Sequence, residues 1–301
     1  MSPGALRFDG QVAVVTGAGG GLGRLYALAL AARGAKVVVN DAGVSVAGEG
    51  ASAGPAASVA QEIVASGGEA VADSHSVATL EGGEAVVATA VEAFGRVDVV
   101  VNNAGVLRDK AFHNLTDEQV TAVVDVNLKG AFYVTKPAWA KMREQAYGRV
   151  LMVTSASGLL GNFGQANYAA AKMGLVGLTR ALAIEGAKHG IKVNAIAPLA
   201  LTRMTQGVFG ELEGRLAPEL VVPVVLLLVH NDVPVSGEVL SAAGGRVARY
   251  FVGLTRGYYS PELTPEDLRD HFAEVLDEAD YTVPAGLAGE LAVLKGIWAA
   301  G

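Results

Sequence analysis

The chain has 301 residues, 51% of them hydrophobic, and a formal net charge of −7. That is enough apolar material to bury the core of one large domain or two, and a phosphate-backbone binder would need a basic face that this balance does not provide. The absence of cysteine excludes disulfides, thiol catalysis and cysteine-ligated zinc.

The opening "MSPGALRFDG" has no apolar core of a secretory signal. Apolar strand-like runs then alternate with helical patterns. "VAVVT" at 12–16 leads into glycines and a helical "LYALALAARG". "KVVVND" at 36–41 leads into a Gly/Ala/Ser-rich loop and a helix near 56–66. "EAVAD" precedes a helix near 80–94, and "VDVVVNNAG" at 97–105 precedes a long helical region through about 143. "GRVLMVTSA" leads to a helix that begins near Asn167. "IKVNAIAP" at 191–198 and "GEVLSAAGG" at 237–245 read as the last strands. The run "VVPVVLLLV" at 221–229 is too short to span a bilayer and contains a proline. Strand–helix alternation of this kind predicts a Rossmann-type α/β fold, with a doubly wound parallel sheet of about seven strands and helices on both faces.

The domain expected is 1–245, including a substrate segment at 199–216, followed by a helical extension over 246–301 packed on it. In that extension Thr264 is placed as the N-cap of a helix at 265–278, with Pro265 at its first position. A second helix is expected near 286–298. The composition and the absence of a targeting or spanning segment predict a cytoplasmic protein with no membrane or nucleic-acid partner. The five histidines are scattered without metal-ligand spacing, so no metal site is expected.

Three stretches carry chemistry. "TGAGGGLG" at 16–23 follows a strand and opens a helix. There Gly17, Gly21 and Gly23 suit a pyrophosphate turn, since they put no side chain in the way of the phosphates and a helix N-terminus meets their charge, and Leu22 between them is a further cofactor-binding candidate. Asp41 ends the second strand, where a carboxylate accepts from ribose hydroxyls and repels an added 2′-phosphate. No Lys or Arg lies between Asp41 and Ala60 to offset that repulsion; Arg24 and Arg33 are the cations that would have to. The cofactor predicted is therefore NAD. Finally, in "SASGLLGNFGQANYAAAK" a serine precedes a tyrosine and a lysine one helical turn apart. A free phenol is a poor base at neutral pH, and lowering its pKa by three units takes roughly 4 kcal/mol, which a nearby ammonium and a cationic nicotinamide are expected to supply. The tyrosinate then accepts the proton of an alcohol while hydride leaves carbon, and Ser155 holds the oxygen.

In their order along the chain, the glycine turn, the acid after the second strand, "NNAG", the serine and "YAAAK" resemble the short-chain dehydrogenase/reductase family from about Phe8 to Gly245. The resemblance implies Tyr168 as catalytic acid/base, Ser155 as the residue orienting the substrate oxygen, and Lys172 as a further ligand of the nicotinamide ribose. It implies Asn127 as a fourth catalytic residue supporting a proton-relay water. Asn103, Ala104 and Gly105 would line the adenosine side, and Pro198 would lead backbone toward the nicotinamide carboxamide. Two departures from the pattern stand out: His75 occupies the place of an adenine-contacting Asp, so contact passes to backbone or Ser76, and "PLALTRMT" leaves Thr202 and Thr205 as alternatives for holding the carboxamide.

"VLRDKAF", "LAIEGAK" and "RMTQ" narrow the resemblance to the (3R)-hydroxyacyl-CoA dehydrogenase portion of type 2 peroxisomal multifunctional enzymes. In those enzymes a hydratase domain follows; here it would be a separate protein. The implied substrate is a fatty-acyl or steroid side-chain CoA ester, and Arg108, Lys110, Arg203, Arg246 and Arg249 are candidates to meet its charge. A hydroxysteroid or other secondary alcohol is the alternative substrate, and an inactive NAD-binding protein the second alternative. The resemblance also implies a homodimer, or a tetramer built from such dimers.

Overall fold

The structure, a computed structural model, describes residues 4–202, 205, 207 and 210–300, except the side chains of 299 and 300. Its elements run β1 (Val12–Thr16), α1 (Gly21–Ala31), β2 (Lys36–Asn40), α2 (Gly54–Ala65), β3 (Glu69–Asp73), α3 (Leu80–Phe94) and β4 (Val99–Asn102). Then come α4 (Asp117–Val124), α5 (Gly130–Gln145), β5 (Gly148–Val153), α6 (Ala156–Leu160), α7 (Ala166–Gly186) and β6 (Ile191–Leu199). The chain continues through α8 (Val222–Val229), β7 (Val239–Ala243), β8 (Arg246–Tyr250), α9 (Pro265–Asp270), α10 (Phe272–Leu276) and α11 (Leu287–Ala300).

The eight strands form one sheet in the order β3-β2-β1-β4-β5-β6-β7-β8, and β1 to β7 pair in parallel. Continuous apolar strands such as "VAVVT" and "GRVLMV" are buried along their whole length, as a sheet covered on both faces requires. Tyr26 and Leu30 of α1, Ile63 of α2 and Leu228 of α8 pack with Ala13, Val15, Val37 and Val39 in one apolar cluster. Alternate strand residues such as Val14 and Val38 point the other way, and α3, α5 and α7 bury Val86, Val134, Met142 and Leu175 there.

Two features of this topology locate a site. Thr16, Asn40 and Asp73 are in register, so the carboxyl ends of β1, β2 and β3 finish level. The strand order also reverses between β1 and β4, which leaves a crevice outside those carboxyl ends.

The sheet has one strand more than the sequence predicts. Gly244 and Gly245, at φ +55° and +84°, make the two-residue turn that returns "RVARY" as β8 beside β7, where a helical tail was expected. The short helices α6 and α8 were not foreseen either. By its internal contacts the chain forms two units, one ending at Arg249 and one starting at Tyr250. In the second unit Leu254 and Thr282 exchange backbone hydrogen bonds of 2.9 and 2.8 Å, and Phe251 stacks on Tyr281.

The helix expected at 265–278 is capped by Thr264 as predicted, but it is broken at His271 into α9 and α10. The His271 ring stacks on Tyr258 with centroids 4.3 Å apart, and its Nδ1 lies 2.9 Å from the Asp267 carbonyl oxygen. These side-chain contacts compete with helix continuation, and His271 takes φ −107° and ψ 12°. Among the described residues no helix is long and apolar enough to cross a membrane, and no cluster of side chains suits a metal ion.

Candidate active site

A cavity of about 560 Å³ opens at the carboxyl ends of the strands. At one end is the turn after β1. Gly21 has φ +53° and no atom within 4 Å of where a Cβ would stand, so the space before the N-terminus of α1 is open. Gly23 is glycine for a different reason: a Cβ there would lie 2.2 Å from the Gly17 carbonyl oxygen. Asn103 fixes this turn from the end of β4, donating through Nδ2 to the carbonyls of Thr16 and Gly17 at 2.9 and 3.0 Å. Thr16, which the sequence reading missed, joins the two strand ends: its hydroxyl accepts from the amides of Asn103 and Ala104 at 3.0 and 3.1 Å. The signal was present as the first letter of the glycine motif.

Asp41 lines the same end. Its Oδ2 accepts from the Gly19 amide at 2.8 Å and its Oδ1 from the Gly43 amide at 2.7 Å. The carboxylate therefore ties the glycine turn to the 42–53 loop and keeps two lone-pair positions for a ligand. Arg24 is held by Glu62 at 2.7 Å and Arg33 by the Leu6 carbonyl at 3.1 Å; neither lines the cavity. Asp73 is buried and turned away, accepting from Asn40, Thr89 and the His75 amide, whereas His75 and Ser76 reach the cavity wall. The open turn, the amino end of an 11-residue helix and the level carboxylate suit a dinucleotide. Gly17, Gly21, Leu22 and Gly23 would hold its phosphates and Asp41 its adenosine ribose.

The other end gathers Ser155, Tyr168 and Lys172, with Asn127 behind Gly105. Ser155 follows β5 and caps α6, its Oγ accepting from the Ser157 amide at 3.2 Å. With that acceptor position used, its hydroxyl proton is left to donate. Tyr168 lies in the first turn of α7, which Asn167 anchors by donating to the carbonyls of Arg108 and Gln119 at 3.1 and 3.2 Å. Gln165, also absent from the sequence reading, adds a 2.7 Å bond to Asp109 on the same segment. Lys172 is buried, donates to the Val153 carbonyl at 2.8 Å, and has its Nζ 5.5 Å from the centre of the Tyr168 ring.

Asn127 sits in a π-helical turn, Asp125–Lys129, between α4 and α5. Its Nδ2 donates to the carbonyls of Val106 and Val123 at 2.9 and 3.0 Å, and insertion into the helical ladder accompanies the widened turn. Its Oδ1 is buried with no protein partner among the described residues, 2.6 Å from where a Gly105 Cβ would stand. The Lys172 Nζ is 3.5 Å from the same point. A buried amide oxygen beside an ammonium in this way is the environment in which an ordered water is held.

The electrostatics differ from the sequence expectation in one respect. Burial pushes the Tyr168 phenol up from its ordinary value; the bond from Ser155 pulls it down and the Asp109 charge raises it further. Burial also pushes Lys172 down to about 8. In the protein alone desolvation of the phenolate thus outweighs the hydrogen bond from Ser155, and the burial responsible is something the i, i+4 spacing could not reveal.

Pro198, Thr202 and Thr205 also line the cavity, and the two threonine hydroxyls lie 3.3 Å apart. Thr205, the alternative to Thr202, accepts from the Thr202 amide at 2.8 Å and donates to the Ala200 carbonyl at 2.7 Å. Its hydroxyl is therefore occupied in shaping the turn. Arg203 lies outside the described residues.

The family model for short chain dehydrogenases matches residues 11–212. The chain belongs to the short-chain dehydrogenase family. It is thus an oxidoreductase acting on CH–OH groups, in a family that uses NAD(P). This dehydrogenase is 48% identical to peroxisomal multifunctional enzyme type 2 of Mus musculus over 93% of its own length, and spans 38% of that longer protein. It is 39% identical to a hydroxyacyl-CoA dehydrogenase of Mycobacterium tuberculosis, covering 88% of this chain and 89% of that one. A crystal structure of a short chain dehydrogenase from Mycobacterium avium superimposes with a TM-score of 0.79 at 44% identity, over 89% of this chain and 95% of that one.

Proposed function

We propose that this dehydrogenase oxidises a (3R)-hydroxyacyl-CoA to the 3-ketoacyl-CoA with NAD. The observation that carries the reading is one cavity with a dinucleotide cradle at one end and Ser155, Tyr168 and Lys172 at the other. Bound NAD supplies the hydride acceptor. Tyr168 takes the proton of the substrate hydroxyl as general base. Ser155 donates a hydrogen bond to the same oxygen and holds it in place as charge develops. Lys172 favours the phenolate by its charge and binds the nicotinamide ribose, and the Asn127 Oδ1 holds the water through which the proton leaves. Asn103, Ala104 and Gly105 border the dinucleotide, His75 and Ser76 approach the adenine, and Pro198 and Thr202 approach the carboxamide. Leu160 and Phe163, 73% and 90% exposed, flank the loop that brings Asn162 into the cavity wall, an apolar surface suited to an acyl chain. The R configuration and the CoA handle rest on the likeness to hydroxyacyl-CoA dehydrogenases, not on a measured distance.

Asp41, with no unengaged cation beside it among the described residues, supports NAD over NADP. A 2′-phosphate would meet a carboxylate already fixed by two amides, while Arg24 is engaged by Glu62. The expected preference in kcat/KM is about 10- to 150-fold, equivalent to roughly 1.5–3 kcal/mol for a charged hydrogen-bonding group. Paired assays with the two dinucleotides test it, and faster turnover with NADP would overturn the cofactor assignment.

Assembly belongs to the same reading. Phe132 of α5 and Met173 and Ile184 of α7 are exposed apolar side chains, on helices that family resemblance pairs across a two-fold axis. Light scattering at micromolar concentration is expected to give a dimer or tetramer; a monomer would contradict this.

A further inference from the structure

The sequence offers five cations to meet a charged substrate, and the structure separates them. Arg249 is held by Glu238 through bonds of 2.6 and 2.8 Å, Arg246 projects from β8, and Lys110 is exposed; none of these lines the cavity. Arg203 is outside the described residues. Arg108 does line it. Its Nε donates to the Ala47 carbonyl at 2.8 Å, and Leu107 beside it donates its amide to the Val46 carbonyl at 3.0 Å. The Arg108 carbonyl in turn accepts from Asn167, the residue before Tyr168. The guanidinium is therefore anchored to the 42–53 loop, and the Arg108 backbone to the first turn of α7, which carries Tyr168.

The other charged groups of the cavity are already matched. Asp125 pairs with Lys129 at 2.8 Å, Asp41 accepts from two amides, and the Lys172 ammonium is buried on the Val153 carbonyl. Asp109, next to Arg108 in sequence, accepts from Gln165. Arg108 thus keeps the donors of its terminal nitrogens, which have no protein partner among the described residues. A planar fork with its Nε already anchored is pre-organised to meet a phosphate with two parallel hydrogen bonds.

We propose that Arg108 is the specificity residue that recognises a phosphate on the substrate's coenzyme A handle, and so distinguishes CoA esters from uncharged alcohols and thioesters. This rests on the reading of the substrate given above. The measurement is a ratio: kcat/KM for a (3R)-hydroxyacyl-CoA divided by kcat/KM for the same acyl group on N-acetylcysteamine, which carries no phosphate. Arg108→Met is expected to lower that ratio about tenfold, the effect of one charge-assisted contact in a half-exposed site. Arg108→Lys, which keeps the charge and loses the fork, is expected to fall between. Raising ionic strength should erode the ratio in the wild type more than in Arg108→Met. A ratio in Arg108→Met equal to that of the wild type, with good turnover of the CoA ester, overturns the proposal and leaves the parent reading standing. A loss shared equally by both thioesters and seen in KM for the dinucleotide assigns the cation to the cofactor and also overturns it. A wild type that oxidises no CoA ester brings down the parent reading, and this one with it.

Discussion

Tyr168→Phe is expected to reduce kcat/KM for alcohol oxidation by about 10²–10⁴-fold, the contribution of a positioned general base. The ring and its packing survive the change, and the phenol oxygen alone is lost. The pH profile provides the sharper signature. Burial raises the folded-state pKa of the phenol, so the base form accumulates only as pH rises. Wild-type oxidation should therefore climb on the alkaline side of neutrality, and the variant should lose that limb. Lys172, which burial pushes down to about 8, also gives up its proton on the alkaline side. Turnover by Tyr168→Phe equal to that of the wild type would remove the residue from the mechanism.

Ser155→Ala is expected to cost about 10²–10³-fold in kcat, the usual loss when one donor to a developing oxyanion is removed. The same hydroxyl caps α6, and removing it leaves the Ser157 amide without its acceptor. That loss alone is worth about 1 kcal/mol of stability. The two roles are separable: a small fall in Tm accompanies a large fall in kcat if the oxygen-holding role is real. A variant whose kcat falls only in proportion to its folded fraction would show that the cap is the whole function. Ser155→Thr, which restores a hydroxyl, should recover part of the rate.

How far these residues were legible in the sequence depends on the distance over which each acts. The glycine turn, Asp41, Ser155 and the Tyr168–Lys172 pair are set by strand ends and by one helical turn, so motif order was enough to bring them together. Burial does not follow from spacing. The i, i+4 pair predicts a depressed phenol pKa, whereas the enclosure of both side chains raises Tyr168 and lowers Lys172. Long-range bonds were equally hidden. Nothing in the letters says that the Asp41 carboxylate would accept from Gly19, or that Arg108 would reach Ala47.

Secondary structure failed where side chains override local pattern. The helix break at His271 follows its contacts with Tyr258 and Asp267. The eighth strand follows a Gly-Gly turn that reads equally well as a linker. The π-helical turn at Asn127 comes from one side chain bonding two carbonyls, a feature with no periodic signature.

The central claim is tested most directly by following reduction of NAD with matched (3R)- and (3S)-hydroxyacyl-CoA esters across several chain lengths, beside free secondary alcohols of the same carbon skeleton. Rapid oxidation of the (3R) esters, with the (3S) esters and the free alcohols far slower, is the predicted result. Equal or faster turnover of the (3S) esters, or good activity on free alcohols with none on any CoA ester, would contradict it.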